Sequence, residues 1–182
     1  TLSVREMPMK KVLNSTQMKK ADVAASERFK IPSLVLMERA ALSVFEECRK
    51  LYESKLSGSI LVVCGTGNNG GDGLALSRML REGKIPAETV LIGDPDRCSE
   101  SCRVQLDILN AMGVFVESKL PDLDDSYLAV VDALFGTGLS RDVAGEYATA
   151  IDSMNAVDAV RIAVDIPSGI NADTGPVFGT AF

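Results

Sequence analysis

At 182 residues, with 46% hydrophobic and 24% charged side chains, the chain can bury one core, is too short for two full domains, and is too apolar for extended disorder. A formal charge of −6 argues against a broad surface that tracks nucleic-acid phosphates, so any phosphate contact has to be local. No apolar run reaches the length of a bilayer span and the first residues lack the apolar core of a secretory signal, which points to a cytoplasmic protein with neither membrane nor nucleic-acid partner.

Residues 1–13 read as an N-terminal tail and 14–182 as the folded domain. Apolar residues recur at helical spacing from Ser15 to Phe29 and again from Ser33 to about Glu53, with Ser15 and Ser33 as expected N-caps. Pro32 separates the two helices, because the residue before a proline is pushed out of the helical region. Short unbroken apolar runs follow at Ile60–Cys64, Thr89–Ile92, Val114–Val116, Leu128–Val131 and Ile162–Val164. Unbroken rather than alternating runs are what strands covered on both faces require, which implies a parallel sheet. Leu74–Arg81, Ser99–Met112 and Tyr147–Met154 read as crossover helices, with Gly83 and Gly113 as C-terminal stops. The expected fold is α/β: a three-layer α/β/α, Rossmann-like, doubly wound and mainly parallel sheet, ordered 3-2-1-4-5 and preceded by two N-terminal helices.

The four cysteines form no CxxC pair and there is no histidine, so a structural zinc site is not expected and four reduced thiols are. Cys98 and Cys102 lie four apart, either as two faces of one helix turn or as a pair that meets.

The chemistry concentrates at three strand ends. After the first strand comes Gly65-Thr66-Gly67-Asn68-Asn69-Gly70-Gly71-Asp72-Gly73, leading into a helix expected from Leu74. Its glycines let backbone N–H groups approach a ligand, and the helix N-terminus adds partial positive charge that favours phosphate. The alternative is a purely structural turn. No Lys-Ser or Lys-Thr pair follows, which removes the P-loop reading, and Asn68, Asn69 and Asp72 exceed what a dehydrogenase turn needs. Asp94 is a weak candidate for the ribose-binding acid of a dehydrogenase.

The fourth predicted strand ends in Asp132 and runs into Gly136-Thr137-Gly138-Leu139-Ser140-Arg141-Asp142. Asp132 needs a partner, a cation or the crevice, or else it is a helix cap or a loop-bracing acid. Arg141 is either a phosphate ligand or a solvated charge. The fifth predicted strand leads to Asp165 and Ser168. In this sheet order, Asn69, Asp132, Asp165 and Ser168 converge at the topological switch point as hard oxygen donors suited to a weakly charged cation rather than zinc.

The segments GTGNNGGDG, VDALFGTGLSRD and VDIPSGINADTG, with LMERAA at 36–41, resemble the NAD(P)HX epimerase family, the YjeF N-terminal domain, from about Asn14 to Phe182. The resemblance implies epimerisation of the R and S forms of hydrated NADH and NADPH at C6 of the nicotinamide ring. It implies that Asn68, Asn69, Gly70, Gly71 and Asp72, with Gly136, Thr137, Gly138, Leu139, Ser140, Arg141 and Asp142, hold NADHX or NADPHX. Asp165 then stands beside the ring as a substrate-binding and catalytic residue. It further implies one potassium ion per subunit on Asn69, Asp132 and Ser168, a homodimer, and fusion to or cooperation with an ADP/ATP-dependent NAD(P)HX dehydratase. Two departures stand out: Ala41 replaces a glycine common in the family, and the family domain continues past a stretch such as GPVFGTAF, so a C-terminal truncation is expected.

The expected chemistry is loss of the C6 hydroxyl, assisted by the ring nitrogen, with Asp165 as acid and base; reversible ring opening is an alternative route. Asp165 could instead only brace its turn. Two other functions stay open, a nicotinamide-dependent oxidoreductase and a non-enzymatic nucleotide-sensing or scaffold module of the same fold.

Overall fold

A computed structural model describes residues 12–182, so the tail expected over 1–13 lies almost wholly outside the described residues. The elements run α1 (Ser15–Glu27), α2 (Ser33–Lys55), β1 (Ser59–Cys64), α3 (Asn68–Glu82), β2 (Ala87–Leu91), a 3-10 turn (Pro95–Arg97), α4 (Glu100–Ala111), β3 (Tyr127–Ala133), α5 (Glu146–Asn155) and β4 (Val160–Ala163). The pairings among these four strands are parallel, in the order β2-β1-β3-β4.

The unbroken apolar run of β1 serves two cores at once. Ile60, Val62 and Cys64 face α2, α3 and α4 through Leu74, Leu80, Leu106 and Leu109, while Leu61 and Val63 face Ile151 and Met154 of α5. Successive strand side chains point to opposite faces, so both faces are dry only because both are covered by helices. The three-layer α/β/α expectation holds.

Four local expectations are corrected. The run Val114–Val116 forms no strand: the only ladder contact there is a single bridge between Glu117 and Val90, with Leu91 N donating to Glu117 O at 2.8 Å and Glu117 N to Thr89 O at 2.9 Å. The segment does lie outside β2, where the predicted order placed it. However, Phe115 is 75% exposed, and an outer position between Gly113 (φ 69°) and the polar Glu117-Ser118-Lys119 sustains only one bridge.

Asn14, not Ser15, caps α1, in a capping box with Gln17. Pro32 stands at the cap of α2, and the Ser33 hydroxyl instead meets Ser101 Oγ at 3.0 Å. Helix α3 begins at Asn68 rather than Leu74, so most of the glycine-rich segment is helix. It can pack where it does only because Gly70 and Gly73 carry no side chains. A Cβ on Gly70 would overlap the Gly65 carbonyl oxygen, and one on Gly73 would lie 2.5 Å from Ala133 Cβ and 2.7 Å from Cys64 Sγ. The glycines thus drive the N-terminus of α3 down onto the ends of β1 and β3. Among the described residues, no helix is long and apolar enough to cross a membrane.

Candidate active site

The C-terminal ends of β1, β3 and β4 open into a crevice of about 1130 Å³, at the upper end of small-molecule sites and roomy enough for a dinucleotide. One wall is the N-terminus of α3, contributing Asn68, Asn69 and Asp72; another is the loop after β3, contributing Gly136, Thr137, Gly138, Leu139, Ser140 and Arg141; Asp165 comes from the end of β4. Ten of the residues expected from the sequence therefore share one crevice. Gly70 and Gly71 are buried behind it in α3, and Asp142 points away, its Cβ near Gly179. Arg97, Asp94 and Tyr147 extend the lining toward the end of β2, where Tyr147 packs on Phe135 with ring centroids 4.9 Å apart. Asp94 lines the crevice there and caps the 3-10 turn, its Oδ1 accepting from Asp96 N at 2.9 Å.

Beneath the crevice lies a closed knot. Asp132 pairs in register with Val63 of β1 and Ala163 of β4 and is fully buried. Its Oδ1 accepts from Leu134 N at 3.0 Å and from Ser168 Oγ at 2.7 Å, and its Oδ2 accepts from Ser168 N at 2.7 Å. Ser168 Oγ also accepts from Phe135 N at 2.9 Å. Burial pushes the Asp132 carboxyl above the usual range, opposed by these donors. The acid therefore braces the loops after β3 and β4 against each other.

Asn69 is different. Its Oδ1 and Nδ2 are both buried and neither has a hydrogen-bond partner. A buried amide without protein partners is costly until a water or a bound group satisfies it. Asn69 lines the crevice, whereas the Asp132 carboxylate and the Ser168 hydroxyl lie in the knot and engage one another. Among the described residues, no three His, Cys, Asp or Glu side chains cluster as a transition-metal site would need. Of the two orphan atoms, the Asn69 oxygen is a hard donor of the kind a weakly charged cation takes, while Nδ2 needs an acceptor.

On the crevice walls, Asp165 is exposed and its Oδ2 accepts from Thr137 N at 2.8 Å. The loop can come this close because position 136 is glycine; a Cβ there would stand 2.5 Å from Asp165 Oδ2. Asp72 faces the same space. Burial, then the charge of Asp165, then that of Asp22 raise its carboxyl to about 7.

Helix α1 supplies a wall that the sequence did not announce. Met18, Asp22, Val23, Ser26 and Glu27 line the crevice, yet α1 buries no residue. Its N-terminal end is held by Ser15, whose N and Oγ both donate to the Asp173 carboxylate at 2.6 Å. On α2, Ala40 lines the crevice while Ala41 is buried in the core, so the methyl group that departs from glycine at position 41 meets protein rather than ligand.

Residues 33–182 match the family model described as YjeF-related protein N-terminus. An NAD(P)H-hydrate epimerase of Oenococcus oeni is 46% identical over 93% of this chain and 80% of its own length. One of Levilactobacillus brevis is 42% identical over 95% of this chain and 79% of its own. The crystal structure of yeast ynu0 superposes with a TM-score of 0.78 at 23% identity, covering 92% of this chain and 75% of that one, which supports the fold.

Proposed function

This chain belongs to the family of YjeF-related protein N-terminal domains, and from that premise we propose the following reading of its crevice. The chain is an NAD(P)H-hydrate epimerase, an isomerase that interconverts the R and S forms of hydrated NADH and NADPH. Asp165 is its catalytic residue. The observation that carries this role is its placement: an exposed carboxylate held in the crevice wall by Thr137 N, within the electrostatic reach of a second carboxyl that keeps its proton near neutrality, Asp72.

The reaction needs a proton delivered and a proton removed. As the C6–O bond breaks, its electron pair leaves with the hydroxyl, which takes a proton and departs as water. The ring-nitrogen lone pair fills the gap and gives an iminium-like cation. Water then adds to C6 from the other face and gives up a proton. Without histidine, carboxyl groups are the natural acid and base. Two carboxyls, Asp72 of α3 with its proton affinity raised and Asp165 after β4, can divide that work. A carboxylate beside the ring also stabilises the cation. The N-terminus of α3 and Arg141 receive the phosphates.

Asn69, Asp132 and Ser168 would hold one potassium ion per subunit. When bound, the ion would supply a fixed positive charge that satisfies the Asn69 amide oxygen and offsets the buried Asp132. Two further parts of the reading go beyond the chain. Exposed Phe29, Val35 and Leu42 near and on the N-terminal helices support a homodimer. An epimerase only equilibrates two hydrates, so a cytoplasmic ADP/ATP-dependent dehydratase, fused or separate, has to consume one of them.

The test follows the two NADHX epimers chromatographically, with and without potassium. Equilibration well above the spontaneous rate is expected, falling by about 10²–10⁴-fold in Asp165→Asn with nucleotide affinity retained. Undiminished epimerisation in that variant would remove Asp165 from the role.

A further inference from the structure

Cys98 and Cys102 are chain neighbours of Arg97 and Ser101, which line the crevice, and take no part in the chemistry above. Cys98 follows the 3-10 turn, Cys102 lies in the first turn of α4, and their sulfurs are 3.6 Å apart, already in contact. Cys102 is buried and Cys98 half-buried, so an oxidant can reach one sulfur while the other waits behind it. The residues between them grip the crevice loop. Ser99 Oγ donates to Asn68 Oδ1 at 2.7 Å and caps α4 by accepting from Cys102 N at 3.3 Å. Ser99 N donates to Thr66 O at 2.9 Å, and Cys102 Sγ donates to Gly65 O at 3.8 Å.

We propose that Cys98 and Cys102 are a redox dithiol, which hydroperoxides close into a disulfide that loosens Asn68 and weakens substrate binding. The step balances. The Cys98 sulfur attacks the peroxide oxygen, breaking the O–O bond to give a sulfenic acid and water or an alcohol. The Cys102 sulfur then displaces the hydroxyl of that sulfenic acid as a second water, and the S–S bond forms. Both sulfurs are oxidised and the peroxide is reduced. Burial first, and then Cys98 beside it, push the Cys102 thiol up to about 12, so Cys98, the more accessible of the two, is the sulfur that meets the peroxide, and Cys102 closes the bridge because it already touches Cys98.

A disulfide needs its sulfurs about 2.05 Å apart, so the 3.6 Å contact has to shorten by roughly 1.5 Å. That contraction acts across the turn whose Ser99 holds Asn68, and it removes the thiol proton that Gly65 O accepts.

The experiment treats the protein with hydrogen peroxide, alkylates the remaining thiols and digests with trypsin. The peptide Cys98–Arg103 carries both sulfurs. It is expected to lose the mass of two hydrogen atoms and to resist alkylation, while buried Cys48 and Cys64 alkylate on unfolding. The oxidised protein is expected to show a KM for the hydrated nucleotide roughly three- to tenfold higher, restored by dithiothreitol and absent in Cys98→Ser and Cys98→Ala. Thiols that both still alkylate after peroxide, or that carry only single-sulfur oxidation, overturn the dithiol. A disulfide that leaves KM unchanged overturns its coupling to the crevice. The KM arm rests on the epimerase reading and the peptide mass does not, so the two can fail separately.

Discussion

The floor and the walls of the crevice use the same side chain to opposite ends. On the floor, Asp132 is buried between three strands and receives three hydrogen bonds, from Leu134 N, Ser168 N and Ser168 Oγ. On the walls, Asp165 receives one from Thr137 N, and Asp72 takes up a proton near pH 7 instead of finding a donor. A carboxylate surrounded by donors is a structural tie, whereas one facing a crevice and other carboxylates becomes an acid. Position at a strand end does not separate these roles; the count of N–H and O–H groups aimed at the oxygens does.

Three substitutions can break this contrast, after the Asp165→Asn test that bears most strongly on activity. Asp132→Ala strands three buried donors and is expected to cost about 3 kcal/mol of folding free energy, read from urea melts at constant m-value. An unchanged melt would show that the floor does not brace the two loops.

Asp72→Asn is expected to act the other way on stability. The Asp72 carboxyl is raised from 3.8 to about 7, so the folded state binds its proton more tightly than the unfolded one. Its contribution is therefore most favourable below pH 4 and declines as pH rises through the interval from 3.8 to about 7. The variant should lose that slope and gain on the order of 2 kcal/mol over the parent at pH 8, with no gain at pH 3. Parallel pH–stability curves for the two proteins would show that Asp72 titrates normally.

The smallest expected effect concerns α1, the wall that buries nothing. Ser15→Ala removes the hydroxyl bond to Asp173 and is expected to raise KM roughly twofold with kcat unchanged. A fall in kcat instead would mean that α1 positions the reacting groups.

Much of this was legible beforehand, for reasons that differ by element. The runs Ile60–Cys64 and Leu128–Val131 announced themselves as two-face-buried strands, and both are. Val114–Val116 has the same composition but sits at the edge, where one bridge to β2 is all that forms. In the site, the two glycine turns and the acids after the strands located the crevice. The N-terminus of α3 was misread as a turn because glycines usually break helices, whereas here they admit the Gly65 carbonyl and the Ala133 side chain. Nothing in Met18 or Asp22 marked α1 as a crevice wall.

The amino-acid order alone determined four of the five expected strands, that the sheet is parallel, and that three glycine- and aspartate-bearing strand ends meet. Those follow from local periodicity and the handedness of crossovers, which need no distant information. Tertiary structure alone decided that Asn69 is an unpartnered buried amide, that Asp132 is a tie and Asp72 an acid, and that two sulfurs touch. Each of those depends on which groups from remote parts of the chain crowd a given atom and shut water away from it. No window of sequence contains that information.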